Sequence, residues 1–547
     1  MLTPTRRARR FRSMITTPQP EATDAGVEVL AAGGNAVDAA IAAAMVQGVV
    51  DPLMCGIGGM ADMQIVTPDG ARHIIDGLGT SPAGVRPDMW EADLLGPTTD
   101  GFGYRVAGFV NETGAQSVMT PGTLRAFGRL HARFGSLPWA DLFAAAIRLA
   151  REGWLVRPHT YTVLTQNERR YGRMNMGEKL AITPDGRRIY LGEGGSFPSV
   201  GDTIVNPDLA DTLIHLRDHG AEALYTGELA VSVADSVAAD GGFLTAADLA
   251  DYELHEPAPL SASYRGLTVS AAPAPAGGVQ LLQTLGIMDR FDLSALEHNS
   301  PEHIRILAEA MKTSLRDKER LWNEADASPE DFAALLTADS LDAAARAVRS
   351  GEKADVDAAR PQVSSHESRH TTHLCAADES GLTISLTHTL GNPSGYIPAG
   401  TGFVLNGGMS TFDPRPGHVN SIQPGKRRNT TMAPVVVMSG DEPVVAIGAP
   451  GASWITPAVA QGISNILDFG MNAQEAVMAP RVVATSNAID ISNRIPRRVQ
   501  TAVEDMGYEV RRSALSYAFA GVHALTRFEG TLAGGADPQR DGYASGV

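Results

Sequence analysis

The chain has 547 residues, 62 of them acidic and 45 basic, for a formal charge of −17. That length allows three or four domains, or one large fold with satellites, and the acidic balance argues against nucleic-acid or anionic-membrane partners, which reward basic patches. Two cysteines, Cys55 and Cys375, cannot frame a disulfide scaffold, while 43 % hydrophobic residues suffice for a sizeable core.

Residues 1–14 carry Arg6, Arg7, Arg9, Arg10 and Arg12 but no following apolar stretch. They read as a frayed basic tail rather than a secretory signal. No apolar run of about 18 residues occurs, so no transmembrane helix is predicted, and the expected location is cytoplasmic. A helix over residues 23–32 stops at Gly33-Gly34. Asn35 caps a second helix to about Gly48, with Asp38 in its first turn. Cys55-Gly56-Ile57-Gly58-Gly59 reads as a tight turn into short strands over 63–66 and 73–75. Pro138 is expected to open a helix running through Trp154. Asn206-Pro207 and Ser300-Pro301 are cap-plus-first-turn signals, and Ile304, Leu307, Ala308, Met311 and Leu315 follow an amphipathic helical stripe. Residues 351–370 read as an exposed linker. Strands are then predicted over 372–377, 382–390, 434–438 and 443–447, and helices over 455–469 and 473–478. A helical half followed by a strand-rich half predicts a mixed α/β layered fold.

The segment after the linker holds the first candidate chemistry. Thr371 to Asp378 and the strand from Leu382 suit an antiparallel hairpin with the loop Glu379-Ser380-Gly381, glycine taking the left-handed position. In that register Thr371 faces Thr389, close enough for one hydroxyl to bond another. Thr383, Ser385, Thr387 and Thr389 share one strand face, a pattern that by itself describes a solvated or half-buried sheet surface. His366, His370 and His373 lack a clear fourth ligand, so no metal is expected. Gly448-Ala449-Pro450-Gly451-Ala452-Ser453 joins a strand to a helix and would present free backbone N–H groups to an oxyanion. No Walker lysine or G-x-G-x-x-G accompanies it, which argues against a nucleotide site. Lys426 to Pro434 adds the adjacent hydroxyls of Thr430 and Thr431.

Six motifs in order resemble the γ-glutamyltransferase (glutathione hydrolase) family. They are Gly33-Gly34-Asn35-Ala36-Val37-Asp38-Ala39-Ala40, Gly56-Ile57-Gly58-Gly59, Pro121-Gly122-Thr123, Thr371-Thr372-His373, Gly402-Phe403-Val404-Leu405-Asn406 and Gly448-Ala449-Pro450-Gly451-Ala452. The resemblance implies an N-terminal-nucleophile hydrolase with an α/β, four-layer αββα core and no cofactor. It implies self-cleavage between His370 and Thr371 into associated fragments 1–370 and 371–547, a heterodimer that could itself pair. Thr371 would then carry both the nucleophilic hydroxyl and, as its free α-amine, the base. Thr389 matches the second threonine that bonds the nucleophile. Gly451 and Ala452 match the oxyanion glycines, and Thr430 and Thr431 match paired serines that bind substrate.

Three departures bear on the substrate. Leu78 stands where the family has an arginine that clamps the α-carboxylate of a γ-glutamyl group; Arg86 or Arg105 could take its place. Ser410 and Thr411 stand where acids hold the α-amine, and Gly391 replaces an asparagine for which the adjacent Asn392 could substitute. The expected activity is therefore amide cleavage through an acyl-enzyme, with water or an amine as acceptor. A small non-glutamyl amide such as oxamate, a biosynthetic amide or C–C substrate, and a non-catalytic relative on the same fold stand as alternatives.

Overall fold

The computed structural model describes residues 11–99, 103–322, 324, 327–356, 370–515 and 519–547. Twelve strands build two six-stranded sheets. They are β1 (Met14–Thr17), β2 (Met60–Val66), β3 (Arg72–Gly77), β4 (Leu260–Tyr264), β5 (Leu267–Ala271), β6 (Thr372–Ala377), β7 (Thr383–Thr389), β8 (Val435–Ser439), β9 (Glu442–Gly448), β10 (His523–Phe528), β11 (Thr531–Ala536) and β12 (Tyr543–Gly546). The first sheet runs β12-β1-β6-β7-β2-β3 and the second β11-β10-β9-β8-β5-β4. Every neighbouring pair in both is antiparallel.

Strand parity sorts the side chains into layers. Leu374, Leu386, Met63 and Ile65 turn outward from the first sheet onto a helical layer that includes α1 (Pro20–Ala31) and α2 (Ala36–Val50). Val435, Val437, Val445 and Ile447 turn outward from the second, against α3 (Gly278–Met288), α4 (Pro301–Trp322) and α5 (Ile455–Leu467). Val66, Cys375, Val436, Met438, Ala446 and Leu525 fill the space between the sheets. The result is the αββα sandwich. No helix among the described residues is long and apolar enough to cross a membrane.

Local signals place several elements. The Asn35 side chain accepts from the Val37 and Asp38 amides, and Asp38 closes a capping box on the Asn35 amide at 3.0 Å. All of α2 except Gly48 is buried, which suits an alanine-rich helix packed on several sides. Asn206 caps the helix Pro207–His219, and Ala473–Met478 forms as expected.

Other expectations are corrected. The stretch after Pro138 is a 3-10 turn (Trp139–Phe143) and a shorter helix (Ala144–Glu152), and Trp154 begins a two-residue strand. A glycine at 153 with φ +104 ends the helix there. The basic tail does not reach Met14: the Arg12 and Ser13 amides donate to the Val547 carbonyl, and Met14 lies inside the first sheet. Nor do helical and strand-rich halves stay apart, because β1 to β5 enter both sheets from the N-terminal side. The linker prediction falls mainly on residues 357–369, which with His366 lie outside the described residues.

Candidate active site

The hairpin of β6 and β7 forms in the expected register, with Thr372 opposite His388 and Ala377 opposite Thr383. Its loop closes with the Asp378 amide donating to Leu382 O at 3.1 Å, and Gly381 takes φ +100. Thr371 and Thr389 therefore meet just beyond the paired ends, their Oγ1 atoms 2.9 Å apart. The Gly391 amide also donates to Thr389 Oγ1, at 2.8 Å. Either hydroxyl of the pair can donate to the other.

The threonine face of β7 is not a solvated surface. Ser385, Thr387 and Thr389 are buried between the sheets, where Ser385 Oγ donates to Ile447 O at 3.1 Å and accepts from the Val435 amide at 3.1 Å. These bonds bring β9 and its following turn over the hairpin. His373 bonds Thr387 Oγ1 through Nδ1 at 2.8 Å and lies 3.1 Å from Cys375 Sγ through Nε2. Burial draws the His373 imidazole down to about 3, with His388 adding to the shift, so it stays neutral near pH 7. At the end of β9, a Cβ on Gly448 would lie 2.2 Å from the His373 ring. Only glycine permits that approach.

The turn after Gly448 holds two residues with positive φ, Gly451 at +136 and Ala452 at +47. A 3-10 turn (Ala452–Trp454) follows and leads directly into α5, so amides near its start lack helical partners. Thr431 Oγ1 donates to Ala452 O at 2.8 Å, which ties the hydroxyl pair to this turn. Thr430 is buried, and its hydroxyl accepts from the Met432 amide at 3.3 Å. Two joined pairs result, Thr371 with Thr389 and Thr431 with Ala452, on segments whose strands the Ser385 hydroxyl ties together.

Thr371 has φ +86, which is unusual for a β-branched residue. Its carbonyl accepts from Arg540 Nη1 at 3.1 Å. His370 is 2 % exposed and Thr371 5 %, so the bond between them is enclosed in the continuous chain. Burial holds the His370 imidazole well below its usual range, and the positive charges of Arg173, Lys179, Arg540 and Arg428 push it the same way.

Two expected substrate contacts are engaged inside the protein. Asn392 is fully buried; its Oδ1 accepts from Lys179 Nζ at 2.6 Å and its Nδ2 donates to Glu112 Oε2 at 2.8 Å. Glu112 also lies 3.7 Å from both Arg173 and Lys179, and burial lowers Lys179 to about 8. Asn392 is thus a member of a buried ionic network rather than a free replacement at Gly391. Thr411 Oγ1 accepts from Arg428 Nη1 at 3.0 Å.

Leu78 is fully buried. Arg86 pairs with Asp88 on the surface, and Arg105 donates to the Leu95 and Pro97 carbonyls. Arg427 pairs with Asp76. Residue patterns did not reveal Gln47 of α2, whose Nε2 donates to Thr372 Oγ1 at 3.1 Å and whose Oε1 bonds His388 Nε2 at 2.8 Å. They also missed Arg540 and Arg428. A glutamine in an alanine-rich helix was a visible signal.

The sequence model described as Gamma-glutamyltranspeptidase matches residues 22–547. The chain is 35 % identical to the Acylase ACY 1 proenzyme of Pseudomonas sp. (strain V22), covering 97 % of this chain and 93 % of that protein. It is 30 % identical to the Glutathione hydrolase proenzyme of Bacillus subtilis (strain 168), covering 98 % and 91 %. The crystal structure of cephalosporin acylase from Bacillus halodurans superimposes with a TM-score of 0.85 at 27 % identity, over 100 % of this chain and 98 % of that one. On these matches and the αββα architecture, the chain belongs to the gamma-glutamyltranspeptidase family of N-terminal-nucleophile hydrolases.

Proposed function

We propose that this chain is a self-cleaving N-terminal-threonine amide hydrolase of acylase type, acting on an amide that lacks the γ-glutamyl α-amino acid. The observation that carries the reading is the 2.9 Å contact between the Thr371 and Thr389 hydroxyls at the start of β6.

In maturation, Thr371 Oγ adds to the His370 carbonyl carbon. The His370–Thr371 C–N bond breaks, an ester forms, and the hydroxyl proton ends on the departing nitrogen. Water then hydrolyses the ester, leaving fragments 1–370 and 371–547. The positive φ of Thr371 supports this step. A residue held in such a region stores about 1–3 kcal/mol, and φ is defined by the carbonyl carbon that cleavage removes.

In turnover the new α-amine accepts the Oγ proton as Oγ adds to the substrate amide. The leaving amine departs with that proton, and water or an amine acceptor releases the acyl group from the ester. The amides of Gly451 and Ala452 receive the oxyanion, a role in which one donor is typically worth roughly 2.7–4 kcal/mol. Thr430 and Thr431 line the substrate side.

The altered clamp supports an acyl group unlike γ-glutamyl. Leu78 supplies no charge, Thr411 is bound to Arg428, and Asn392 is held by Lys179 and Glu112. An acylase among the relatives agrees with this reading. The test compares purified, processed protein on γ-glutamyl-p-nitroanilide and on N-acyl-p-nitroanilides without an α-amine. Faster turnover of the latter is expected; efficient turnover of the glutamyl anilide alone would overturn the substrate assignment.

A further inference from the structure

Asp51 is an acid at the unfavourable end of a helix. It is the C-cap of α2, against the negative end of the helix dipole, and it is 2 % exposed. A carboxylate so placed is costly unless its surroundings hold it. Two routes lead from it to the bond that the proposed maturation breaks. The first is a relay of buried side chains. Asp51 Oδ2 accepts from Gln19 Nε2 at 2.7 Å, Gln19 Oε1 accepts from Gln47 Nε2 at 2.8 Å, and Gln47 Nε2 also donates to Thr372 Oγ1 at 3.1 Å. Gln47 Oε1 is taken by His388 Nε2 at 2.8 Å, so that ring nitrogen carries the proton. An ionised Asp51 can only accept. It fixes which way the Gln19 amide faces, and Gln19 in turn fixes Gln47, so that an N–H points at Thr372.

The second route runs through charge. Arg540 Nη1 donates to Thr371 O at 3.1 Å and lies 3.9 Å from Met54 Sδ. The Met54 amide donates to Asp51 O at 2.9 Å, so the guanidinium lies against the turn that Asp51 opens. Its positive charge favours the ionised form of Asp51. One route ends on the main-chain oxygen of Thr371 and the other on the side chain of Thr372. Together they bracket a β-branched residue with φ +86, a conformation that persists only where its surroundings over-determine it.

Resting on the self-cleavage reading, we propose that the Asp51 carboxylate is a positioning residue for maturation. In the uncut chain it holds Thr371 in its strained conformation, through Arg540 and through the Gln19–Gln47 relay to Thr372. It acts through these partners and not on the reacting atoms. Self-cleavage then depends on the charge of a group outside the hydroxyl pair.

The groups that face Asp51 set where that dependence falls. Burial raises Asp51 to about 7, the Arg540 charge and the Gln19 bond oppose the rise, and Asp541 adds to it. His159 Nε2 stands 3.9 Å from Oδ2, and Cys55, kept protonated by burial, places its Sγ 3.9 Å from Asp51 O. As pH falls through about 7, protonation ends the acceptor-only state of Asp51 and its pairing with Arg540, so self-cleavage slows on the acid side. The histidines beside the cut do not titrate there: burial holds His373 and His388 down to about 3 and His370 well below its usual range. Lys179, drawn down to about 8 by burial, does titrate nearby, so substitution and not the midpoint assigns the limb.

The experiment follows newly made chain. Full-length protein is pulse-labelled in a cell-free system, translation is stopped, and aliquots are shifted to buffers on either side of neutrality. Denaturing gels time the loss of full-length chain to fragments 1–370 and 371–547. The native chain should cleave roughly tenfold more slowly one pH unit below the Asp51 midpoint than well above it. Asp51→Asn keeps the shape and loses the charge. It should slow cleavage on the alkaline side roughly 10- to 100-fold, the range of a hydrogen bond to a charged group, and flatten the limb. Asp51→Glu should keep part of the rate and the limb. A native rate independent of pH across neutrality overturns the proposal, whether or not Asp51→Asn folds. So does an Asp51→Asn chain that cleaves at the native rate, or one that is slower but keeps the full limb, which then belongs to another group such as Lys179. A folded native chain that never cleaves under these conditions removes the self-cleavage reading itself, and this inference with it.

Discussion

The Thr389 hydroxyl accepts from the Gly391 amide and meets the hydroxyl of Thr371, the proposed nucleophile, at 2.9 Å. If Thr371 is the nucleophile, as proposed, removing the Thr389 hydroxyl deletes a hydrogen bond to a group that gains charge in the reaction, worth about 1.5–3 kcal/mol. Thr389→Ala should lower kcat roughly 10- to 100-fold in protein that has matured, and Thr389→Ser should recover most of the loss. Steady-state kinetics on an N-acyl anilide checks both; an unchanged kcat in Thr389→Ala would remove this residue from the mechanism. The base makes a second prediction. A free α-amine has an unperturbed pKa of about 7.7–8.0. The amine must be neutral to accept a proton, so kcat/KM should rise with pH along a one-proton limb. A kcat/KM that falls as pH rises through this range would contradict this account of the base.

At the scale of elements, the hairpin was legible because period-two alternation and a three-residue loop fix register together. Thr371 could be placed opposite Thr389 from spacing alone, and the pairing of β6 with β7 agrees. The burial of the threonine face was not legible. A strand of Thr, Ser and Thr looks solvated until a second sheet covers it, and that sheet includes β4 and β5 from more than a hundred residues upstream. Arg428 was hidden for a related reason. A Lys-Arg-Arg run reads as surface charge, and only tertiary packing shows that its third member is enclosed. The glycine turn was visible as a motif, and its geometry explains the residue choice. At Gly451, with φ +136, an added Cβ would lie 2.5 Å from Ala520 Cβ. Gly451→Ala should therefore shift the turn and cost about a hundredfold or more in kcat, the scale of a lost oxyanion donor. Adding Ala520→Gly relieves the contact but not the backbone strain, so recovery should be partial. Full activity in Gly451→Ala alone would show that the turn does not hold the oxyanion.

For the whole molecule, the proposed cut falls between strands that remain neighbours. In the first sheet, β1 from residues 1–370 lies between β6 and β12 from residues 371–547, and β2 pairs with β7. In the second, β5 pairs with β8. Pulling the fragments apart would open four strand pairings and expose both apolar layers, so cleavage should leave one folded particle. The layered fold class was legible from the motif order, but this interleaving was not, because sequence distance hides which strands are neighbours. Mass spectrometry of the active protein, with one sample sprayed under native conditions and one denatured, tests the central claim most directly. The account predicts a single native species that separates on denaturation into two chains, the smaller beginning with an unblocked Thr371 and ending at Val547. An active protein that remains one continuous polypeptide with the His370–Thr371 bond intact would contradict it.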